Sequence, residues 1–189
     1  GTTYDSSGTY SYGSGGTNNY SMSFDGVDDG IIINDFNYNF QDQITVSSWV
    51  WLDANGASII HRRVNNTIDF SLGVSANNNI FIHMGSIGIL SDNTTPLNLN
   101  TWYNVSFTYD GQMIKLFIDG NLIAQQNGTG NITNTTSILE LGSYYYNGSP
   151  YDFFHGYVDN AFVWNTVLTQ TEIQQYMNCP PTGSETGLV

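Results

Sequence analysis

The sequence predicts an all-β protein: a two-sheet antiparallel β-sandwich or jelly roll with one short C-terminal helix. Many short runs alternate apolar and polar residues at a period of two, as half-buried strands do. Turns rich in Gly and Asn separate these runs at nearly regular spacing. Only one stretch carries a convincing helix-start signal. Many short strands with Gly-containing turns between them are typical of a sandwich or jelly roll.

The stretch from Trp102 to Ala124 carries the pattern most clearly. Every second residue from Tyr103 to Tyr109 is aromatic or aliphatic, so these side chains share one face of a strand. Asp-Gly pairs follow at 110–111 and 119–120, and they favour two-residue hairpin turns because glycine adopts positive φ without a Cβ clash. The stretch therefore predicts a three-stranded antiparallel meander, packed on a second sheet.

The other strands are predicted from the same alternation. They are Tyr20–Gly26, Gly30–Ile33, Ile44–Leu52, Ser58–Arg62, Ile68–Val74, Ile80–Met84, Ser137–Leu141 and Gly156–Asn165. Ile44–Leu52 carries bulky side chains on both faces, which indicates an interior strand of a two-layer structure. We therefore expect Trp49, Trp51 and Trp102 in the core, whereas the place of Trp164 stays open.

The two ends of the chain differ from its middle. Residues 1–20 are rich in Gly, Ser, Thr and Asn and predict a loop with one short strand. Thr169 and Glu172 fit a capping box, which predicts the short helix. From Cys179 onward the Pro, Gly and Ser content predicts a linker. A single cysteine cannot form an internal disulfide, so this thiol is buried, free in the tail, or paired outside the chain.

The charge balance excludes several classes of partner. The chain has 3 Lys and Arg against 16 Asp and Glu, a formal net charge of -13 and a pI near 4.1. Nucleic acids and anionic membrane surfaces need clustered cations, so neither is an expected partner. We also expect no membrane insertion, because no hydrophobic run is long enough to span a bilayer. The acidity suits a soluble extracellular protein that recruits divalent cations.

Four ordered patches carry a resemblance to a known family. They are Ser21–Asp29, Val46–Val50, Trp102–Gly120 and residues 154–173, the last ending in the predicted helix. Together they resemble the laminin-G-like branch of the concanavalin A-like lectin/glucanase jelly rolls. The resemblance implies one domain over residues 1–178, with 179–189 as a linker or the start of a following repeat. It also implies a monomeric unit excised from a larger secreted or cell-surface protein.

The same resemblance implies a calcium site. In the family, the regions that correspond to Asp25 and Asp159 meet at the sandwich edge and share a Ca²⁺ ion with nearby carbonyl groups. Asp28 and Asp29 are additional candidate ligands, since Ca²⁺ takes six to eight oxygens. Alternatively, Asp25 and Asp28 only cap turns. No His or Cys spacing supports zinc.

An enzymatic function is not expected from the carboxylates. Retaining glycosidases of this superfold place acidic residues on alternate positions of one strand, and their two carboxyl groups lie about 5–5.5 Å apart. The chain's glutamates are Glu140, Glu172 and Glu185, and none has such a neighbour. Neither a nucleophile elbow nor a phosphate-binding loop is present in the sequence. We therefore expect no catalytic residues.

A loop rich in tyrosine is the candidate ligand site. Aromatic faces stack on sugar rings, and amide or carboxylate groups bind hydroxyls. The residues of this kind are Tyr144, Tyr145, Tyr146, Asn147, Tyr151 and Asp152. Alternatively, these tyrosines alternate into the core. Arg62 and Arg63 are candidates to bind a sulfate or uronate, or they form a solvated edge.

The sequence therefore predicts a non-catalytic, Ca²⁺-binding extracellular recognition module whose ligand is a carbohydrate. The competing hypotheses are a module that docks protein partners and a structural spacer in a repeat array. A glycoside hydrolase is disfavoured. Fold class alone does not decide among these functions.

Overall fold

The computed structural model describes residues 21–135, 138–147 and 149–189. Its strands, numbered in chain order, are β1 (Met22–Asp25), β2 (Ile31–Ile33), β3 (Ile44–Leu52), β4 (Ala57–Val64), β5 (Thr67–Val74), β6 (Ile80–Met84), β7 (Gly88–Ser91), β8 (Trp102–Tyr109), β9 (Met113–Ile118), β10 (Asn121–Asn127), β11 (Leu139–Leu141), β12 (Tyr144–Tyr146), β13 (Ser149–Tyr151) and β14 (His155–Trp164). One helix, α1 (Gln170–Asn178), follows β14. The predictions for residues 1–20 and for Ser137 lie outside the described residues.

The strands form two antiparallel sheets of six strands and one small hairpin. The first sheet has the order β1-β14-β3-β8-β9-β10, and the second has the order β2-β11-β4-β5-β6-β7. The hairpin pairs β12 with β13. This arrangement confirms the predicted all-β sandwich, and it places β3 in the interior of the first sheet, as its two bulky faces indicate.

The core lies between the two sheets and follows the alternation of each strand. Val46 and Val50 of β3 are fully buried in it, and Phe107 of β8 meets Phe70 of β5 with ring centroids 6.3 Å apart. Burial of such side chains contributes about 1.5–3 kcal/mol each to folding. The opposite face of each strand therefore lies on the outside of the sandwich.

The two Asp-Gly turns of the predicted meander differ in form. Asp119 and Gly120 have φ of +49° and +67°, and Asn121 pairs directly with Ile118. This is the predicted two-residue turn with positive φ at both positions. At the other turn Asp110 accepts hydrogen bonds from the amides of residues 112 and 113 through its side chain, so the loop is longer than predicted.

Helix α1 begins at the predicted capping box, with Thr169 as its N-cap. The helix covers part of the outer face of the first sheet, where Ile173 packs against Phe117 and Trp164. Trp164, which the sequence left open, is fully buried there. Within the part of the chain that the structure describes, the helix therefore divides the outer face of the first sheet into a covered part and an uncovered part.

The tail after the helix returns to the first sheet. The amide of Asn165 donates to the carbonyl of Gly187, and Leu188 forms an isolated antiparallel bridge with Trp164. Cys179 is exposed and free. The division at residue 178 stays a prediction, as does the role of 179–189 as a linker.

Candidate functional site

A row of aromatic side chains crosses the uncovered part of the first sheet. Cross-strand pairing places Tyr157 of β14 opposite Trp51 of β3, and Trp51 opposite Trp102 of β8. The Trp51 and Trp102 ring centroids lie 6.0 Å apart, and those of Trp102 and Tyr157 lie 6.4 Å apart. Trp102 is 36 % exposed and Tyr157 is 37 % exposed. We call these three residues the aromatic row.

The alternation of β3 puts the row outside the core. Val50 and Leu52 point between the sheets and are buried, so Trp49 and Trp51 point to the outer face and are half-buried. The prediction that Trp49, Trp51 and Trp102 form core is therefore wrong. The bulky side chains on the two faces of β3 have separate roles: those on one face pack against the second sheet, and those on the other form an aromatic surface.

Close contact between β14 and β3 fixes the row. A Cβ atom at Gly156 would lie 1.9 Å from the carbonyl oxygen of Trp51, so only glycine permits this spacing. Gly156 also has φ of +145°, which favours glycine. The next residue of β14 is Tyr157, and the contact therefore holds its ring beside that of Trp51.

A shallow groove of about 290 Å³ lies next to the row. Trp49, Trp102, Asp159 and Asn160 line it, and we refer to these four residues as the groove. The register of β14 against β3 shifts between Asp159 and Phe162, which marks a β-bulge. Such bulges redirect side chains and are frequent next to binding sites. Asn160 lies within the bulge at a φ of +47°, an uncommon conformation for a residue other than glycine.

The polar groups of the groove are held by local hydrogen bonds. The backbone N–H of Asn160 donates to Oδ1 of Asp159 at 2.8 Å. Burial raises the pKa of Asp159, and the Asn160 hydrogen bond opposes that shift. Trp49 Nε1 donates to the carbonyl oxygen of Met177 in α1 at 3.2 Å, and Trp51 Nε1 donates to Asp53 Oδ1 at 2.9 Å. The indole rings are therefore fixed in orientation.

This arrangement combines rigid aromatic faces with one carboxylate and one amide. Aromatic faces bind the apolar C–H face of a sugar, while carboxylate and amide groups bind its hydroxyls. Sequence reasoning named Asp159 but missed the tryptophans as surface residues. The signal that could have found them is the strict alternation of β3 and β8, read with only one face assigned to the core.

The predicted calcium ligands divide between two places. Carboxylate oxygens of Asp25, Asp28 and Asp29 lie within 4.8 Å of one another. Asp25 pairs with His155 of β14. Asp159 lies four residues further along the same strand, which puts it about 13 Å from His155 at the usual rise per residue of a strand. The structure therefore brings three of the four predicted ligands together and leaves Asp159 in the groove.

We call these three carboxylates the acidic cluster, and local hydrogen bonds orient two of them, those of Asp25 and Asp29. Oδ1 of Asp25 accepts from the amides of Val27 at 2.8 Å and Asp28 at 3.3 Å, and Oδ2 of Asp29 accepts from the amide of Asp25 at 3.0 Å. The Val27 amide is the main cause that lowers the pKa of Asp25. The cluster thus caps a turn, and its hard oxygen donors also suit Ca²⁺.

The tyrosine-rich loop forms the β12–β13 hairpin, which packs on β4. The Arg63 guanidinium lies 4.2 Å from the Tyr144 ring centroid and 5.9 Å from that of Tyr146. The Tyr144 ring also lies 5.4 Å from the His61 ring and 5.7 Å from that of Tyr151. Tyr144 is therefore occupied by contacts within the protein, whereas Tyr151 is 60 % exposed.

Other predicted residues of this loop anchor it. Asp152 Oδ2 accepts from Ser58 Oγ at 2.6 Å, and the amide of Asn147 donates to Asn65 Oδ1 at 3.3 Å. The side chain of Tyr145 lies outside the described residues. The structure thus places the hairpin on the second sheet, away from the groove on the first sheet.

Arg62 does not face solvent. It is 2 % exposed and forms an ion pair with Asp69, with Nε 3.5 Å from Oδ2. Its Nη1 donates to Asn134 Oδ1 at 3.0 Å, and its guanidinium lies over the Phe40 ring at 5.4 Å. The proposal that Arg62 binds a ligand's sulfate or uronate is therefore wrong, because the side chain is enclosed by its structural partners.

A histidine and a serine are buried together on the outer face of the second sheet. His61 Nδ1 lies 2.7 Å from Ser71 Oγ, and Nε2 of His61 is buried without a hydrogen-bond partner. Desolvation lowers the pKa of His61 to about 3, so its ring is neutral at ordinary pH. The Tyr144 ring packs on the imidazole. The pair is therefore part of the support beneath the hairpin.

The described part of the chain contains no helix long and apolar enough to cross a membrane.

Comparisons with known proteins agree on the fold. A profile of the concanavalin A-like lectin/glucanases superfamily, laminin-G type, matches residues 25–174. A carbohydrate binding protein from Bacteroides ovatus, described as putative, aligns with a TM-score of 0.72 at 17 % identity. That alignment covers 89 % of this chain but 49 % of the Bacteroides chain, so the present sequence spans about half of that protein.

Two further solved structures have the same fold. Domain 4 of an extracellular arabinanase from Geobacillus stearothermophilus, solved with arabinotriose, aligns with a TM-score of 0.63 at 17 % identity over 82 % of this chain and 75 % of that chain. A heptameric pentraxin from Limulus polyphemus aligns with a TM-score of 0.65 at 15 % identity over 88 % of this chain and 85 % of that chain. A search of curated protein sequences returns no match.

Proposed function

The chain belongs to the concanavalin A-like lectin/glucanase superfamily, and on that premise we propose that it is a non-catalytic carbohydrate-binding module whose ligand lies in the groove. The observation that carries the proposal is the juxtaposition of Trp49, Trp102, Asp159 and Asn160 in one cavity, beside an aromatic row on the same face. Rigid aromatic walls and a few fixed polar groups are what a sugar site requires.

The spacing of the acidic groups supports binding rather than hydrolysis. A glycosidase needs one carboxylic acid of raised pKa and one ionised carboxylate, about 5–5.5 Å apart in retaining enzymes and about 6.5–9.5 Å apart in inverting ones. Burial raises the pKa of Asp159, and backbone amides lower that of Asp25. The register separates these two residues by about 13 Å along the strands, which is too far for that pairing.

We place the proposed Ca²⁺ ion at the acidic cluster. Three carboxylates within 4.8 Å of one another supply hard oxygen donors, and loop carbonyls and waters complete the six to eight ligands that Ca²⁺ takes. The ion would neutralise charge in a chain with a net charge of -13 and fix the loop between β1 and β2. Asp159 is not part of this site in the proposal.

Extracellular location and placement within a larger secreted or cell-surface protein complete the proposed function. The arabinanase domain solved with arabinotriose supports this setting, since it is itself one domain of an extracellular enzyme. The competing role is a protein-docking module, and the binding experiment separates the two.

The experiment is a binding panel on the whole chain, with neutral arabino-, xylo-, manno-, cello- and malto-oligosaccharides titrated by isothermal calorimetry. We expect saturable binding to at least one of them, which Trp102→Ala weakens and Ile89→Ala does not. Ile89 is 54 % exposed on β7 of the second sheet, so it controls for loss of exposed apolar area. Absence of binding to the whole panel overturns the proposed function and favours protein docking.

A further inference from the structure

Resting on the proposed function, we propose that the ligand is an internal stretch of an uncharged glycan, bound side-on across the strands of the first sheet. Two features of the molecule support this: the positions of its few cations and many carboxylates, and the shape of the aromatic row. Each of these observations is independent of the identity of the sugar.

No Lys or Arg side chain lies at the groove. The chain has 3 such residues. Arg62 is buried with Asp69, and Arg63 stacks on Tyr144 on the second sheet. Lys115 pairs with Thr108 of β8. Thr108 lies six residues along the strand from Trp102, or about 20 Å at the usual rise per residue, so Lys115 is far from the groove. A sulfate, uronate or phosphate in the groove would therefore lose water without gaining a cationic partner.

Carboxylates surround the row instead. Asp159 lines the groove, and Asp53 lies beside Trp51. His155, two residues from Tyr157 on the same face of β14, pairs with Asp25, whose charge the proposed Ca²⁺ would neutralise, so the repulsion comes from Asp159 and Asp53. Like charges placed across an interface suppress the wrong partner. The site is thus built to accept hydroxyl groups and to reject an anionic sugar.

Among residues 21–135, 138–147 and 149–189, the aromatic row is open at both ends. At one end Tyr157 pairs with Ser23 of the edge strand β1, whose small side chain is exposed. At the other end Trp102 is the first residue of β8, and β9 pairs with β8 only from Val105 onward. No large side chain of the paired strands closes either end of the row, so a glycan chain can continue past both.

The experiment compares a bound neutral polymer of hexopyranose units, such as a glucan or mannan, with the same polymer after oxidation of its C6 primary alcohols to uronates; a bound pentose polymer is compared with the same backbone carrying uronate branches. In each pair the backbone linkage is the same, and the charged form carries carboxylates that the neutral form lacks; the salt dependence separates the effect of charge from that of a lost hydroxyl. We expect the oxidised polymer to bind weaker by on the order of 10-fold at low ionic strength. Added salt should narrow the difference, because it screens the repulsion. The double variant Asp53→Asn, Asp159→Asn should narrow it as well.

The outcomes separate the two proposals. If a neutral glycan binds and Trp102→Ala weakens it, but the oxidised polymer binds equally well or tighter, the charge inference is overturned while the proposed function stands. If binding requires a free chain end of either kind, so that one long polymer chain binds no more copies of the protein than one short oligosaccharide does, the side-on geometry is overturned. If neither form of any polymer binds, the proposed function itself fails.

Discussion

Replacing Trp102 by alanine is the most informative single perturbation of the groove. The side chain is 36 % exposed and contributes to both the groove and the aromatic row. An indole side chain has roughly 250 Å² of accessible area, so about 90 Å² of Trp102 is available to a ligand. Complete coverage of that area is worth about 2 kcal/mol at about 25 cal/mol per Å².

This energy predicts the loss of affinity. Complete coverage corresponds to about 30-fold weaker binding on removal of the indole, and half coverage to about 5-fold. We therefore expect Trp102→Ala to raise the Kd of the bound oligosaccharide by about 5- to 30-fold, measured by isothermal calorimetry. Trp102→Tyr should recover most of the affinity, since it restores an aromatic face.

Two controls make the prediction strict. Ile89→Ala removes an exposed apolar side chain from the second sheet and should leave the Kd unchanged. Thermal melting of each variant checks that the fold persists, because Trp102 lies outside the core. Unchanged affinity in a folded Trp102→Ala variant, or equal loss in Ile89→Ala, refutes the reasoning.

Four further predictions concern the acidic cluster, the groove carboxylate and the buried histidine with its serine partner. Removal of Ca²⁺ by a chelator should lower the Tm. An ion present at about 100-fold above its Kd adds about 2.7 kcal/mol to the free energy of unfolding, which corresponds to about 5–10 °C in Tm for a domain of this length. Asp29→Asn should abolish this dependence of the Tm on Ca²⁺. Burial raises the pKa of Asp159, so the folded state is more stable at acid pH, where this carboxyl group is protonated, and that stability is lost as the pH rises through the pKa. Asp159→Asn should therefore raise the Tm at pH 7 but not at pH 3. The pKa of His61 is lowered from 6.5 to about 3, so stability should fall as pH drops through that interval, less so in His61→Gln. Ser71→Ala leaves His61 Nδ1 without its partner and should cost about 1–3 kcal/mol in a urea melt.

The strands that carry the strongest alternation could be predicted from sequence. β3 was predicted with its observed bounds, and β8 and β9 were predicted as two strands of a meander. The capping box at Thr169 and the turn at Asp119 were also predictable, because both depend on local backbone chemistry. The family resemblance agreed with the observed sandwich.

The inward face of β3 was not predictable in the same way. Alternation separates Val50 from Trp51, but it does not tell which of two bulky faces meets the second sheet. The position of α1 decides how much of the outer face is covered: it buries Trp164 and leaves Trp102 accessible. That coverage arises from packing between distant segments, so no local pattern reports it.

The acidic residues illustrate the same limit. Asp25, Asp28 and Asp29 are close in sequence and lie close in space, as expected for a turn. The place of Asp159 depends on the register between β1 and β14, a long-range pairing that the sequence does not specify by itself. Similarly, the burial of Arg62 follows from its pairing with Asp69 across a strand hairpin.

Nuclear magnetic resonance of the indole N–H groups tests the central claim most directly. The chain has 4 tryptophans, each with one such signal. On titration with the neutral oligosaccharide that binds, the signals of Trp49, Trp51 and Trp102 should shift, while that of Trp164, fully buried under α1, should stay in place. Shifts confined to the amides of the β12–β13 hairpin, with all four indole signals unmoved, would contradict the account.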